Sequence, residues 1–209
     1  MSREFERFAG ACALLVAVGT ILYGITFAIY VKYGDTWAGT TSAALLMLGG
    51  VVGLGVVLAL FARLERVDRG FARLGLVFGI VSAAGSVVHG GFDLAAAAHP
   101  PAFAGDLDAI DPRGLLTFGM AALSIAVAGW LILRGGAATG FPERLGRLAY
   151  LSAVLLLVLY VGRLTILNPK NPVLLVAALV EGLVVNPLVY VTIGRSLRSG
   201  SIAAATVDA

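Results

Sequence analysis

Long apolar runs punctuated by arginines dominate the chain. Six runs, over residues 8–31, 38–62, 71–98, 114–133, 145–167 and 172–194, can each cross a hydrocarbon core of about 30 Å, which takes about 20 helical residues. The runs are continuous rather than alternating, which argues against a β-barrel. Backbone groups in lipid are then satisfied within helices. The pattern predicts an all-α polytopic membrane protein with six transmembrane helices. Short connections make them three antiparallel hairpins, forming one domain over 1–198 with a flexible tail over 199–209.

Local signals fit these boundaries. Asn171–Pro172 places a capping residue before a proline at the first helical position. Asp111–Pro112 opens the fourth helix in the same way, and Pro100–Pro101 closes the third. Gly49/Gly53 and Gly75/Gly79 have the small-xxx-small spacing of close helix approach. Met1–Arg7 has the charge of a signal-peptide n-region. The apolar run after it exceeds the usual h-region length of about 7–15 residues, so it is read as a retained first helix.

Lys and Arg near helix ends set orientation. Eleven of them (Arg3, Arg7, Arg63, Arg66, Arg69, Arg73, Arg134, Arg144, Arg147, Arg195 and Arg198) fall at one set of ends. Three, Lys32, Arg113 and Lys170, fall at the other, where the longest loop also carries Asp106, Asp108 and Asp111. Both termini are therefore expected in the cytoplasm.

Composition narrows the class. Of 209 residues, 59% are apolar and 13% charged, and the mean hydropathy is +0.96. A soluble domain carries about 45–50% and about 25%, so soluble, disordered and disulfide-stapled classes are excluded. The isoelectric point near 9.3 does not indicate nucleic-acid binding, because the basic residues are scattered singly with no basic helix face. The single Cys12 lies in an apolar run and supports neither a disulfide nor a cysteine metal site.

Four charged or imidazole groups lie well within the runs: His89, Asp93, Arg163 and Glu181. A charge at mid-membrane costs about 2.5–3.5 kcal/mol on insertion scales, so each needs a partner or water. At 1.5 Å per residue, His89 and Arg163 each lie roughly 24 Å beyond the basic residues Arg73 and Arg147, and Glu181 roughly 21 Å from Arg195. Three helices thus carry polar groups to one level in the outer half of the bilayer. Asp93 shares a helical face with His89, and Tyr160 with Arg163. Tyr23 comes from the first helix at the same depth. Pro187 cannot donate to the Leu183 carbonyl, which predicts a kink below Glu181, and Asn186 beside it offers both a donor and an acceptor. His89, Asp93, Arg163, Glu181, Tyr160, Tyr23 and Asn186 form the candidate ligand-binding set, with Arg163 expected beside Glu181 or Asp93.

Each group also has a plainer reading. Asp93 can reach headgroups, Arg163 can snorkel, His89 can be a satisfied core residue, and the tyrosines can be packing residues. The His89/Asp93 spacing with Glu181 suggests metal ligands, but a neighbouring arginine would oppose a dication, and no metal or cofactor is assigned. No catalytic or nucleotide-binding motif is present.

Gly129-Trp-Leu-Ile-Leu-Arg134, Pro142-Glu-Arg-Leu-Gly-Arg147 and Glu181-Gly-Leu-Val-Val-Asn-Pro187 with Ile193-Gly194 resemble segments of an uncharacterised bacterial family of small six-helix membrane proteins. The resemblance implies a bacterial inner-membrane location and supplies no activity. Three functions fit these residues. One is a binding or transport protein in which an outward pocket holds a small or lipid-like anionic ligand with proton coupling. The second is a structural or accessory subunit, in a homo-oligomer or larger membrane complex, whose Arg163–Glu181 pair locks the bundle. The third, an intramembrane enzyme using His89 with Asp93 or Glu181, is less favoured. The lipid bilayer is the expected partner in all three.

Overall fold

The computed structural model describes residues 1–98, 112–166 and 171–199, with backbone alone at 98, 112 and 163–166. All regular elements among them are helical, and six helices are long and apolar enough to cross a membrane. These are α1 (Arg3–Tyr33), α2 (Thr36–Leu64), α3 (Arg69–Ala98), α4 (residues 112–135), α5 (Glu143–Ile166) and α6 (Pro172–Ser199). Most run a few residues past their apolar stretch because the capping groups lie outside it. The Ser2 hydroxyl accepts the Phe5 N–H at 3.2 Å, Asp35 accepts from Trp37 at 3.3 Å, and Asp68 accepts from Phe71 at 3.1 Å. Asn171 caps α6 through the Val173 N–H at 3.0 Å, with Pro172 behind it, as its sequence predicts. Gly34 ends α1 in the left-handed region, φ 69°, where a side chain would be strained. Pro100–Pro101, the acidic loop, Lys170 and the tail beyond Ser199 lie outside the described residues.

Each helix touches its neighbours in the chain, and α1 also touches α6, which closes the six into a ring. Glycines set the closest crossings. A Cβ on Gly10 would lie 2.9 Å from the Gly194 carbonyl oxygen, and one on Gly24 would lie 2.8 Å from the Leu183 side chain. The first turns of α1 therefore meet the last of α6, and the middle of α1 meets the middle of α6. Gly129 and Gly146 do the same for α4 and α5, at 3.0 Å. Of the two pairs picked out by spacing, Gly75 and Gly79 do seat neighbours, with Val57 2.6 Å from a Cβ on Gly79. Gly49 and Gly53 face open space. Spacing alone does not tell which side of a helix meets a partner.

The buried core (Ala9, Ala13, Phe61, Leu64, Leu131, Ile132, Phe141, Leu145, Leu197 and their neighbours) fills the end where the arginines gather. Large apolar side chains such as Leu15, Val51, Val77, Val154 and Val173 stand exposed on the outside. Water would penalise so large an apolar surface, whereas lipid accepts it.

Two helices are irregular. In α4 the segment Leu115–Gly119, and in α6 the segment Glu181–Val185, form π turns. The Met120 N–H reaches back to Leu115 and the Asn186 N–H to Glu181, one residue farther than in an α-helix. The irregularity expected from Pro187 takes this form: proline supplies no N–H to Leu183, and the chain widens by one residue just before it.

Candidate functional site

Polar side chains gather at three places, two of them on π turns. In α6, Glu181 opens the π turn and is only 4% exposed. The Ser152 hydroxyl of α5 donates to its Oε1 at 2.5 Å. Its Oε2 is buried and has no hydrogen-bond partner among the described residues. Asn186, half-buried, is tied to Glu181 through its backbone N–H. Tyr23 of α1 precedes Gly24, which packs on Leu183 of the same π turn, and its ring stacks on Phe27 at 5.7 Å.

The second place joins α3 to the π turn of α4. His89, also 4% exposed, faces Asp93 through Nε2 at 3.4 Å and the Thr117 hydroxyl through Nδ1 at 3.4 Å. Its ring lies edge-on to Phe118. Asp93 is half-exposed and is held by Arg113 at 3.1 Å, while the Arg113 guanidinium covers the Phe92 ring at 4.2 Å. The Ser82 hydroxyl donates to the Thr117 carbonyl at 2.9 Å. Gly85 admits the π-turn backbone, since a Cβ there would lie 2.7 Å from the Leu116 carbonyl carbon. Tyr160 of α5 packs beside Gly119 at the end of this turn.

The third place is at the opposite, basic end. Arg63 is 2% exposed and forks onto Glu6, Nε to Oε1 and Nη2 to Oε2, both at 2.9 Å. Its Nη1 donates to the Ser196 carbonyl at 3.2 Å, and its guanidinium covers Phe141 at 5.4 Å. One arginine thus binds α1, α2, α6 and the connection between α4 and α5. Arg134–Asp68 at 3.9 Å and Arg73–Glu65 at 3.2 Å join the same end.

The structure therefore brings His89 and Asp93 together and places Glu181 in a separate cluster, with no hydrogen bond or ion pair between the two among the described residues. The Arg163 side chain lies outside the described residues. Among the described residues the hydrogen bond Glu181 receives from α5 is from Ser152, eleven residues and about 16 Å of helix before Arg163. Arg63, Glu6, Arg113, Ser82, Ser152 and Thr117 do not stand out as site residues in the sequence. Arg113 and Arg63 read there only as flanking charges, and Ser82, Ser152 and Thr117 carry no signal in an apolar run. One clue to Arg63 was available: Glu6 stands at the matching end of the adjoining helix.

Comparison with family models, with curated proteins and with solved structures gives no match.

Proposed function

We propose that this is a multi-pass protein of the bacterial inner membrane, its helices paired as three hairpins with both termini cytoplasmic. In this reading it binds or transports a small or lipid-like ligand, with an exchangeable proton at Glu181. The observation that carries the proposal is the Glu181 carboxyl, buried on a π turn within a membrane-spanning helix with one oxygen unpartnered among the described residues. Carboxylates that serve only to hold the bundle are met by a cation, as Glu6 is by Arg63 and Asp93 by Arg113. Among the described residues Glu181 is met by a serine. An ionised carboxylate there would cost about 2.5–3.5 kcal/mol, a cost that a bound proton or cation relieves. π turns recur at functional sites because they free backbone groups. The excess of basic residues at one end supports the orientation, and Arg163 is assigned to the ligand's anionic group on the sequence alone.

Native mass spectrometry of the detergent-purified chain tests the proposal. The wild type is expected to carry a discrete small adduct that Glu181→Gln and Arg163→Gln both lose while keeping their thermal stability. Bare protein in all three samples, with the variants much less stable, would favour the purely structural role.

A further inference from the structure

Resting on the reading of Glu181 as an exchanging carboxyl, we propose that the π turn of α6 is a binding site for a small monovalent cation of the sodium class, which competes there with the proton. Three features of this turn point to such an ion. The first is the donor set. Glu181 Oε2 is buried without a partner among the described residues, and Ser152 Oγ keeps its lone pairs while its hydrogen goes to Oε1.

The second is the backbone. The Gly182 carbonyl loses its α-helical donor because the Asn186 N–H goes to Glu181. The residue one step on is Pro187, which has no N–H to replace it. The Leu183 carbonyl loses its α-helical donor to the same proline. Gly182 also presents no side chain to α1, and a Cβ there would lie 3.8 Å from the Thr20 carbonyl oxygen. The turn therefore collects a carboxylate, a hydroxyl and under-used carbonyls, all hard oxygen donors. Carbonyls released where a membrane helix departs from α geometry are the groups that hold sodium ions and protons in transporter helices.

The third is charge. One carboxylate is neutralised by one positive charge, whereas a divalent ion would leave a net charge buried in lipid. No group of three or more His, Cys, Asp or Glu side chains that would suit a transition metal occurs among the described residues. Other titratable groups on the elements packed here include Tyr190 of α6, within electrostatic reach of Glu181, Cys12, Tyr23 and Tyr30 of α1, and Tyr150, Tyr160 and Arg163 of α5.

The test uses the full chain in liposomes and a lipid-soluble reagent, dicyclohexylcarbodiimide. The reagent reacts with a protonated carboxyl: the acid O–H adds across a C=N bond, the proton going to nitrogen and the carboxylate oxygen to carbon. Labelling of Glu181 is followed by peptide mass spectrometry in NaCl and in N-methylglucamine chloride of equal ionic strength. Glu181 is expected to label in the organic salt, and sodium at ten times its dissociation constant should slow labelling roughly elevenfold by simple competition. Pro187→Ala, which restores a backbone N–H, should label normally and lose most of the sodium protection. Ser152→Ala should need more sodium for the same protection. Labelling equal in both salts would overturn the sodium site while leaving the exchangeable proton standing. Absence of labelling in the organic salt, in a chain that still unfolds cooperatively, would overturn the reading of Glu181 itself. Undiminished protection in Pro187→Ala would remove the carbonyls from the site and with them this inference.

Discussion

Removing the Glu6 charge should destabilise the protein more than removing Arg63, although the two are partners in one ion pair. The reason is unequal burial: the Arg63 side chain is 2% exposed and that of Glu6 17%. In Glu6→Gln the guanidinium keeps its place over Phe141 but loses its counter-charge and one of two charge-assisted bonds. An uncompensated buried charge of this kind costs about 3–5 kcal/mol. In Arg63→Met the apolar stem is replaced and Glu6 turns to water, so the loss is about 1–2 kcal/mol for the hydrogen bonds given up. The double variant should therefore be more stable than Glu6→Gln alone. For a chain of this size each kcal/mol is worth roughly 2–4 °C, so Glu6→Gln should melt on the order of 10 °C lower. The chain supplies its own reporter: Cys12 is its one cysteine and is buried beside this core, so a thiol-reactive fluorophore follows unfolding directly. An unshifted Glu6→Gln, or an Arg63→Met that melts below it, would refute the argument that burial governs the cost.

Three further outcomes follow from the packing. Gly10→Ala sets a Cβ 2.9 Å from a backbone carbonyl of α6 that cannot step aside, so it should lose about 1–3 kcal/mol; Gly49→Ala, with nothing within 4 Å, should gain about 0.5–1 kcal/mol, and paired thermal melts in detergent decide both. Ser152→Ala removes the donor that meets the Glu181 side chain among the described residues and should cost about 1–3 kcal/mol, with Ser152→Thr close to wild type in the same melts. Arg113→Gln breaks a pair whose acid is 45% exposed and should change stability by no more than about 1 kcal/mol. Hydrogen exchange in residues 115–119 should nevertheless quicken in that variant if Arg113 steadies the α4 π turn.

How much of this was visible in the sequence depends on what each feature answers to. The six spans were legible because hydropathy and helix length act on each segment independently of its neighbours, and Asn171–Pro172 marks the start of α6 by local chemistry alone. Glu181 and His89 stood out because lipid makes such residues rare. Rotation about each helix axis was not legible. Counting residues gives depth and not direction, so Arg63 reads as one more flanking charge although it points inward, and no pattern in the chain points from Glu181 to Ser152, its partner among the described residues. The π turn of α6 had a signal in Pro187. That of α4 follows the fit of Gly85 against Leu116 and of Ser82 against Thr117, which are contacts between helices that no local pattern encodes.

The proposal depends on whether Glu181 holds an exchangeable proton inside the bilayer. Infrared difference spectroscopy of the reconstituted protein between acidic and alkaline buffer measures this directly, in sodium-free medium. The account predicts a carbonyl band of a protonated carboxylic acid that disappears on raising the pH and is missing in Glu181→Gln. A spectrum in which Glu181→Gln and wild type lose the same bands would contradict it, and Glu181 would then be a packing residue of the bundle.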